Sequence, residues 1–519
     1  MKEELKLKDG IWKNGIGAGI SYINMIVSFI AGMIITPLLL NKLGDSEYGS
    51  YVLVASISSY LTVVKNGVSD TMIRYCTKFR AIEDKSSADR FNGLALLINV
   101  MFSIITLFIG IILVYKLHDL YGNTLSKNEI DIAVRLLKIM LLNIVITFLS
   151  NVFFGYLAAY EEFVILRGLE LINLIISNVL IFCILLMGAK SFGVVVVTTC
   201  CNIAVAVAEA LYSWRKLHIG FDFSINKFEN DFLKEVVIYF ITVFIVVIVE
   251  QIYWKLDNVL IAGYVSASAV AVYSIGMSFH KYFMKFSTTI SKVMAPRFFL
   301  RIDSGADKIK LTNMLIQISK LQAVAVLLAL SGLILYGREF IHLWVGKSYD
   351  IAYFIAVITL VPYSFELIGN LRNVILQAKG LYMKKSILLL MTSLLNIVLT
   401  IWWIKLFGII GAAAATGMGI ILGYIGVTVI LKVCNVIDNR RYLRETYGRF
   451  IVPLLISCPT GMVIKQVIPC DSWISFICNT GLYTCIYSIC IYFITFRNVG
   501  RKRMKRYFEE GWRNENKKS

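Results

Sequence analysis

Apolar runs of about twenty residues, the length that crosses a bilayer as a helix, recur from one end of the chain to the other. They predict spans at 15–40, 46–69, 91–115, 136–157, 169–188, 193–212, 235–262, 268–291, 312–336, 351–377, 386–405, 409–431, 450–467 and 473–496. Strands of a transmembrane barrel would alternate polar and apolar positions over about ten residues, and these runs do not. The predicted fold class is an all-α polytopic membrane protein of about 14 transmembrane helices.

The pattern is broken most sharply between Glu235 and Pro296, where two predicted spans meet at the short turn YVSAS (264–268). The first of the two carries Glu250, Lys255 and Asp257; the second carries His280, Lys281 and Lys285. A charge at the bilayer centre costs about 2.5–3.5 kcal/mol on insertion scales, so such residues face a partner or a watery cavity. Lys281 and Lys285 are four apart and share a helix face, and Glu250 and Asp257, seven apart, share another. Lys65 in the second span and Arg372 in the tenth add cations within apolar runs, and Glu366 adds an acid. The lysines and Arg372 suit an anionic head such as a phosphate or diphosphate, lysine as a point charge and arginine as a bidentate fork. The competing reading is snorkelling to the inner interface. The acids Glu250, Asp257 and Glu366 fit either salt-bridge partners of these cations or carriers of a coupling proton. Two polar stripes accompany the charges: Ser21, Asn24 and Ser28 in the first span, and Ser58, Thr62, Lys65 and Ser69 in the second. They suit a hydrated wall, or equally the interhelical hydrogen bonds that hold membrane helices together.

Composition agrees with the pattern: 58% of the 519 residues are hydrophobic and 16% charged, against about a quarter charged in soluble domains. The net charge of +19 would suggest nucleic acid in a soluble protein. Here its distribution explains it. With both termini cytoplasmic, 36 of the 52 Lys and Arg fall in inside segments and 10 in outside ones, the bias that sets orientation in membranes. The basic tail 497–519 reads as a lipid-facing topogenic segment, and no nucleic-acid partner is expected. The ten cysteines and four histidines form no ligand or disulfide spacing, so neither metal nor cofactor is expected. No phosphate-binding loop of the Walker type occurs. The longest predicted outer loop, about 116–135, is too short for a catalytic domain, so an enzyme is not expected.

Weak internal similarity points to two lobes. AKSFGV (189–194) pairs with IKLFGI (404–409), and NKLGDSEYGSYVL (41–53) pairs with AGYVSASAVAVYSIG (262–276). The expected organisation is an N-lobe (1–222, spans 1–6), a C-lobe (223–435, spans 7–12), two additional spans (436–496) and the basic tail (497–519). The substrate path is expected in the cleft between lobes, as in other transporters built from repeats.

The chain resembles, over nearly its whole length, the bacterial polysaccharide repeat-unit flippases, a branch of the multidrug/oligosaccharidyl-lipid/polysaccharide exporter superfamily. The resemblance rests on Pro37 followed by LLLNKLGDSEYGSYVL, with Leu43, Gly44, Tyr48 and Gly49 as its most specific turn. It also rests on LDNVLIAGYVSASAVAVYSIG in the seventh span, on Pro296 closing the eighth, and on ILQAKGLYMKK (375–385). It implies a twelve-helix, two-lobed core with a central cationic cavity and two added helices, in the bacterial plasma (inner) membrane. The implied substrate is an undecaprenyl-diphosphate-linked oligosaccharide, carried from the cytoplasmic to the outer leaflet for O-antigen, capsule or exopolysaccharide assembly. Movement would be by alternating access, coupled to a proton or sodium gradient, beside a glycan polymerase complex. The cavity role passes by position to Lys65, Lys255, Asp257, Lys281, Lys285 and Arg372. The alternatives are a multidrug/cation antiporter of the same fold, a flippase for peptidoglycan lipid precursors, or a non-transporting scaffold of a glycan-assembly complex.

Overall fold

The computed structural model describes residues 2–303 and 307–493, so the basic tail lies outside the described residues. Among these the regular structure is helical: α1 (Lys2–Leu61), α2 (Val63–Ala81), α3 (Lys85–Tyr121), α4 (Lys127–Ala159), α5 (Phe163–Leu186), α6 (Ser191–Arg215), α7 (Asn230–Tyr264), α8 (Ala267–Asp303), α9 (Lys308–Trp344), α10 (Asp350–Ile368), α11 (Leu371–Ala378), α12 (Tyr382–Val433), α13 (Asn439–Thr446), α14 (Gly448–Val467) and α15 (Trp473–Ile491). Ten helices among the described residues are long and apolar enough to cross a membrane. Two of these, α1 and α12, each contain a sharp break, at Gly44 (φ 75°) and Gly408 (φ 60°). Both glycines occupy the left-handed region that an L side chain resists, so each glycine turns the chain between two predicted spans.

The helices outrun the apolar runs. The outer loop expected over 116–135 is mostly helix: α3 continues to Tyr121 and α4 begins at Lys127. A capping box starts α4, the Ser126 hydroxyl accepting from Glu129 N while the Glu129 side chain accepts from Ser126 N. The tenth predicted span, 351–377, is broken instead of continuous, since α10 stops at Ile368 and α11 restarts at Leu371.

Two compact units account for the contacts among the described residues: residues 2–274 with 397–412, and residues 275–396 with 413–493. In the first, α4 is the hub and packs against α1, α2, α3, α5 and α6, while α7 lies on α1, α2 and α3. The segment leading to α7 is strapped to the start of α3. Asp222 N donates to Asp89 O (3.0 Å), Gly220 N to the Asp89 carboxylate (3.1 Å) and Asn92 Nδ2 to Gly220 O (3.3 Å). Asp222 itself caps Ser224, whose hydroxyl and N–H hold the Asp222 carboxyl below its usual range. In the segment 397–412, Lys405 Nζ lies 5.4 Å from the centroid of the Tyr264 ring, a cation–π contact. In the second unit α9 is the hub, packing against α10, α11, α13, α14 and α15. A core of Leu311, Leu315, Leu371, Ile375, Leu376, Leu431 and Tyr442 sits at one of its ends.

The turn around Gly44 is a clamp within the first unit. Buried Glu47 accepts from Ser191 N (2.9 Å) and from the Ser191 hydroxyl (2.6 Å), capping α6, with Lys190 3.8 Å away. Ser46 donates to Glu129 on α4 (2.5 Å). Tyr48 is buried. Truncating Glu47 leaves two buried donors at the start of α6 unsatisfied. Glu47→Ala is therefore expected to cost about 1–3 kcal/mol, read as a lower thermal unfolding midpoint in detergent, whereas Glu47→Gln retains an acceptor and falls less.

Candidate functional site

The predicted site residues fall in both units, and each unit is built separately. In the first, the second half of α1 ends at Leu61 and α2 starts at Val63. The single residue between them, Thr62, departs from helical geometry (φ −94°, ψ 0°), and its hydroxyl donates back to Ser58 O (3.1 Å) and Ser59 O (3.2 Å). Such back-bonding bends a helix. Just past the bend, Asn151 of α4 holds α2: it accepts from the Ser69 hydroxyl and donates to Lys65 O (3.1 Å) and to Asn99 Oδ1 (3.1 Å). The backbone of Lys65 is thus anchored while its side chain is half-buried. Glu209 of α6 and Glu170 of α5 lie within electrostatic range of that side chain.

Asn24 also makes an interhelical tie, donating to Arg167 O on α5 (3.1 Å). Ser21 is exposed and donates to Gly17 O one turn back (2.9 Å). Ser28 is half-buried. Asp257 is buried and accepts from the Tyr273 hydroxyl. Its neighbour Asn258 donates to Ser56 Oγ (3.0 Å), and Tyr60 OH donates to Gln251 O (3.2 Å). Lys255 is half-buried on the same helix. The side chain of Glu250 lies outside the described residues.

In the second unit α8 presents two unlike faces. Gly276 packs so tightly against α10 that an added Cβ would sit 2.8 Å from Ala352 O. His280 is buried and stacks on Tyr363 at 5.3 Å, and the Ser287 hydroxyl donates to Leu367 O (2.7 Å). Those three positions share one face at helical spacing. Lys281 and Lys285 lie roughly 140–180° around the helix from Gly276; Lys281 is exposed and Lys285 half-buried. Each cation is the other's electrostatic neighbour.

Arg372 lies in a different setting. It is 2% exposed, at the start of α11, where the break after α10 frees Gly369 O to accept from its Nε (3.2 Å). Its Nη1 donates to Thr428 Oγ1 (2.9 Å), and its guanidinium lies 4.1 Å from the centre of the Tyr424 ring. Glu366, half-buried, is within electrostatic range of both Arg372 and Lys385.

Three charged residues escaped the sequence reading: Arg167 and Glu170 on α5, paired at 2.8 Å, and Glu209 on α6, 7% exposed. A signal existed. Asn173 donates to Asn202 (3.2 Å) and Asn202 to Asn143 (3.1 Å), so polar residues line the α4–α5–α6 seam. Asn202, Glu209 and Ser213 follow i, i+7, i+11 along α6, a stripe of the kind noticed on α1 and α2.

Comparison with solved structures identifies the fold. The lipid II flippase MurJ in an inward closed conformation superposes with a TM-score of 0.72 at 18% identity, over 93% of this chain and 99% of that one. An inward-facing multidrug resistance MATE family transporter matches at 0.59 and 13% identity, over 79% of this chain and 95% of that one. The eukaryotic MATE transporter AtDTX14 matches at 0.58 and 14%, over 85% and 99%. Comparison with curated sequences gives no significant match. Residues 15–300, more than half of the chain, match the model of a family described as polysaccharide biosynthesis protein. With a multi-helix membrane fold shared with flippases and transporters, the chain belongs to that polysaccharide biosynthesis protein family.

Proposed function

We propose that the protein is a flippase that carries a lipid-diphosphate-linked oligosaccharide from the cytoplasmic to the outer leaflet of a bacterial inner membrane, by alternating access. The observation that carries this reading is the pair Lys281 and Lys285: two cations one turn apart, turned away from the face that α8 packs on α10, Lys281 exposed. An exposed ammonium group at membrane depth is costly in hydrocarbon and useful in a hydrated anion path. A diphosphate offers the matching charge, and the oligosaccharide beside it needs water or polar groups throughout its passage, while an undecaprenyl tail can stay in lipid.

Lys65 and Lys255 add positive charge, and Ser21, Asn24, Ser28 and Thr62 add polar wall. Glu250, Asp257 and Glu366 balance charge or couple transport to protons or sodium. Arg372, whose donors already serve Gly369 O and Thr428, contributes its field rather than a contact. The functional halves are the two six-helix lobes, 1–222 and 223–435, with two further helices. A neighbouring glycan polymerase complex would take the product.

The family supports the polysaccharide assignment, and the likeness to a lipid II flippase supports a lipid-linked substrate. The test is flipping in proteoliposomes loaded on one leaflet with a short diphosphate-linked glycolipid, followed as protection from an added glycosidase. Wild type is expected to flip, and Lys281→Ala with Lys285→Ala to lose flipping while remaining monodisperse. Flipping that survives in the double variant removes the site. No flipping by wild type with any lipid-linked glycan removes the function and favours a drug exporter or a scaffold.

A further inference from the structure

Glu209 has no described use in the fold. It sits inside the membrane-spanning part of α6 at 7% exposure, and among the described residues no hydrogen bond or ion pair reaches its carboxylate. Its electrostatic neighbours are Lys65 across on α2 and Glu170 on α5. Arg167, the remaining cation of this seam, is already committed to Glu170, with Nη1 2.8 Å from both carboxylate oxygens. The other elements packed on α6 bring no charge to this level: α1 has none between Lys13 and Lys42, and α4 none between Lys138 and Ala159. The amide of Asn24, whose Nδ2 serves Arg167 O, has its Oδ1 buried and accepting nothing among the described residues.

An ionised carboxylate in this position is expensive unless paired. Two arrangements relieve it. Either the carboxylate binds a proton and becomes neutral, or Lys65 swings in on its four-carbon stem and makes contact. The structure has Lys65 near but not touching, the arrangement that suits a neutral acid. Proton occupancy of Glu209 and the position of the Lys65 ammonium are therefore linked, each excluding the other.

We propose that Glu209, opposed by Lys65, is a proton-binding site inside the first unit, and that it supplies the coupling proton of the transport cycle. In the step itself one proton adds to the Glu209 carboxylate to give the acid, Lys65 is released from it, and no other bond changes. The proposal deepens the flippase reading by assigning its driving ion, but the site can be tested without any transported substrate.

The test is infrared spectroscopy of the purified full-length protein, titrated across neutral pH, in the region of the protonated carboxyl stretch. Wild type is expected to show the band of a buried acid that disappears as pH rises. Glu209→Gln is expected to lose that band, and Glu170→Gln to keep it. With the opposing cation removed, Lys65→Met is expected to hold the band to higher pH, and Lys65→Arg to restore the wild-type titration. A band unchanged in Glu209→Gln, or absent from wild type throughout, overturns the proposal. In proteoliposomes, Glu209→Gln is expected to flip glycolipid down its own gradient but to lose stimulation by an imposed proton gradient; stimulation that persists also overturns it. If no glycolipid moves in any variant, the infrared titration still decides the site, so the two readings fail separately.

Discussion

Alanine at position 49 is expected to leave almost no folded protein. The added Cβ would lie 1.7 Å from the carbonyl oxygen of Ala267 and 2.4 Å from its carbon. Ordinary overpacking costs about 1–3 kcal/mol because neighbouring side chains can shift. Here the obstacle is backbone, in the first turn of α8, immediately after the tight turn from α7. The approaching strand of chain is fixed as well, by Glu47 capping α6 and Ser46 bonding to α4. A single methyl therefore drives α1 off α8 while its bonds to α6 and α4 hold it in place. Size-exclusion chromatography of a fluorescently tagged Gly49→Ala protein is expected to show aggregate, whereas Gly19→Ala, with no atom within 4 Å of its new Cβ, is expected to give the wild-type peak. A normal peak and unfolding midpoint for Gly49→Ala would mean the two backbones do not meet.

The second large effect is expected at Arg372. Truncation to alanine removes a 2%-exposed guanidinium together with its bonds to Gly369 O and Thr428 Oγ1, empties the space beside Tyr424, and leaves Glu366 facing Lys385 alone. Removing one member of a buried charged arrangement costs about 3–5 kcal/mol. Arg372→Lys keeps the charge but not the planar fork that serves two acceptors and stacks on a ring, so it recovers only part of the loss. Thermal unfolding of Arg372→Ala, Arg372→Lys and wild type in one detergent is the comparison. Equal midpoints would show that the cage contributes nothing to stability.

The sequence carries the helical, polytopic fold openly, because span length and hydropathy are local properties. It also carries the importance of Gly44 and Gly49, though not the reason. That Gly44 turns the chain at positive φ is a local matter, but the contact that excludes a side chain at position 49 comes from a residue more than two hundred positions away. The length of α3 and α4 was hidden by their polar ends. Hydropathy drops near Tyr115 while the backbone stays helical to Tyr121, and the capping box at Ser126 and Glu129 was the readable sign that α4 begins there. The break between α10 and α11 was similarly masked, since apolar positions at helical spacing (Leu367, Ile368, Leu371, Ile375) continue across it and no proline marks the junction.

For the candidate site, Lys65, Lys281 and Lys285 stand out because a cation in an apolar run is conspicuous in one dimension. The second face of α8 was not legible, since only packing shows that Gly276, His280 and Ser287 are turned to α10. Glu209 was overlooked near the end of its span, where a glutamate reads as an interfacial residue. What makes it exceptional is the seam of α5 and α6 that encloses it, and that seam depends on antiparallel pairing of two helices.

The segment 397–412, with Lys405 over Tyr264, gives the first unit an order of assembly. Residues 1–274 leave the ribosome as one continuous block, and domains generally form as their sequence emerges, at about 5–20 residues per second. The remaining piece of the same unit follows only after residues 275–396 have been made, a delay on the order of ten seconds. During that interval the C-terminal end of α7 is in place with its late partner still missing. A chaperone or insertase that shields nascent membrane helices would find its longest-lived client surface there, around Tyr264, and a chain stalled before residue 397 would keep that surface open.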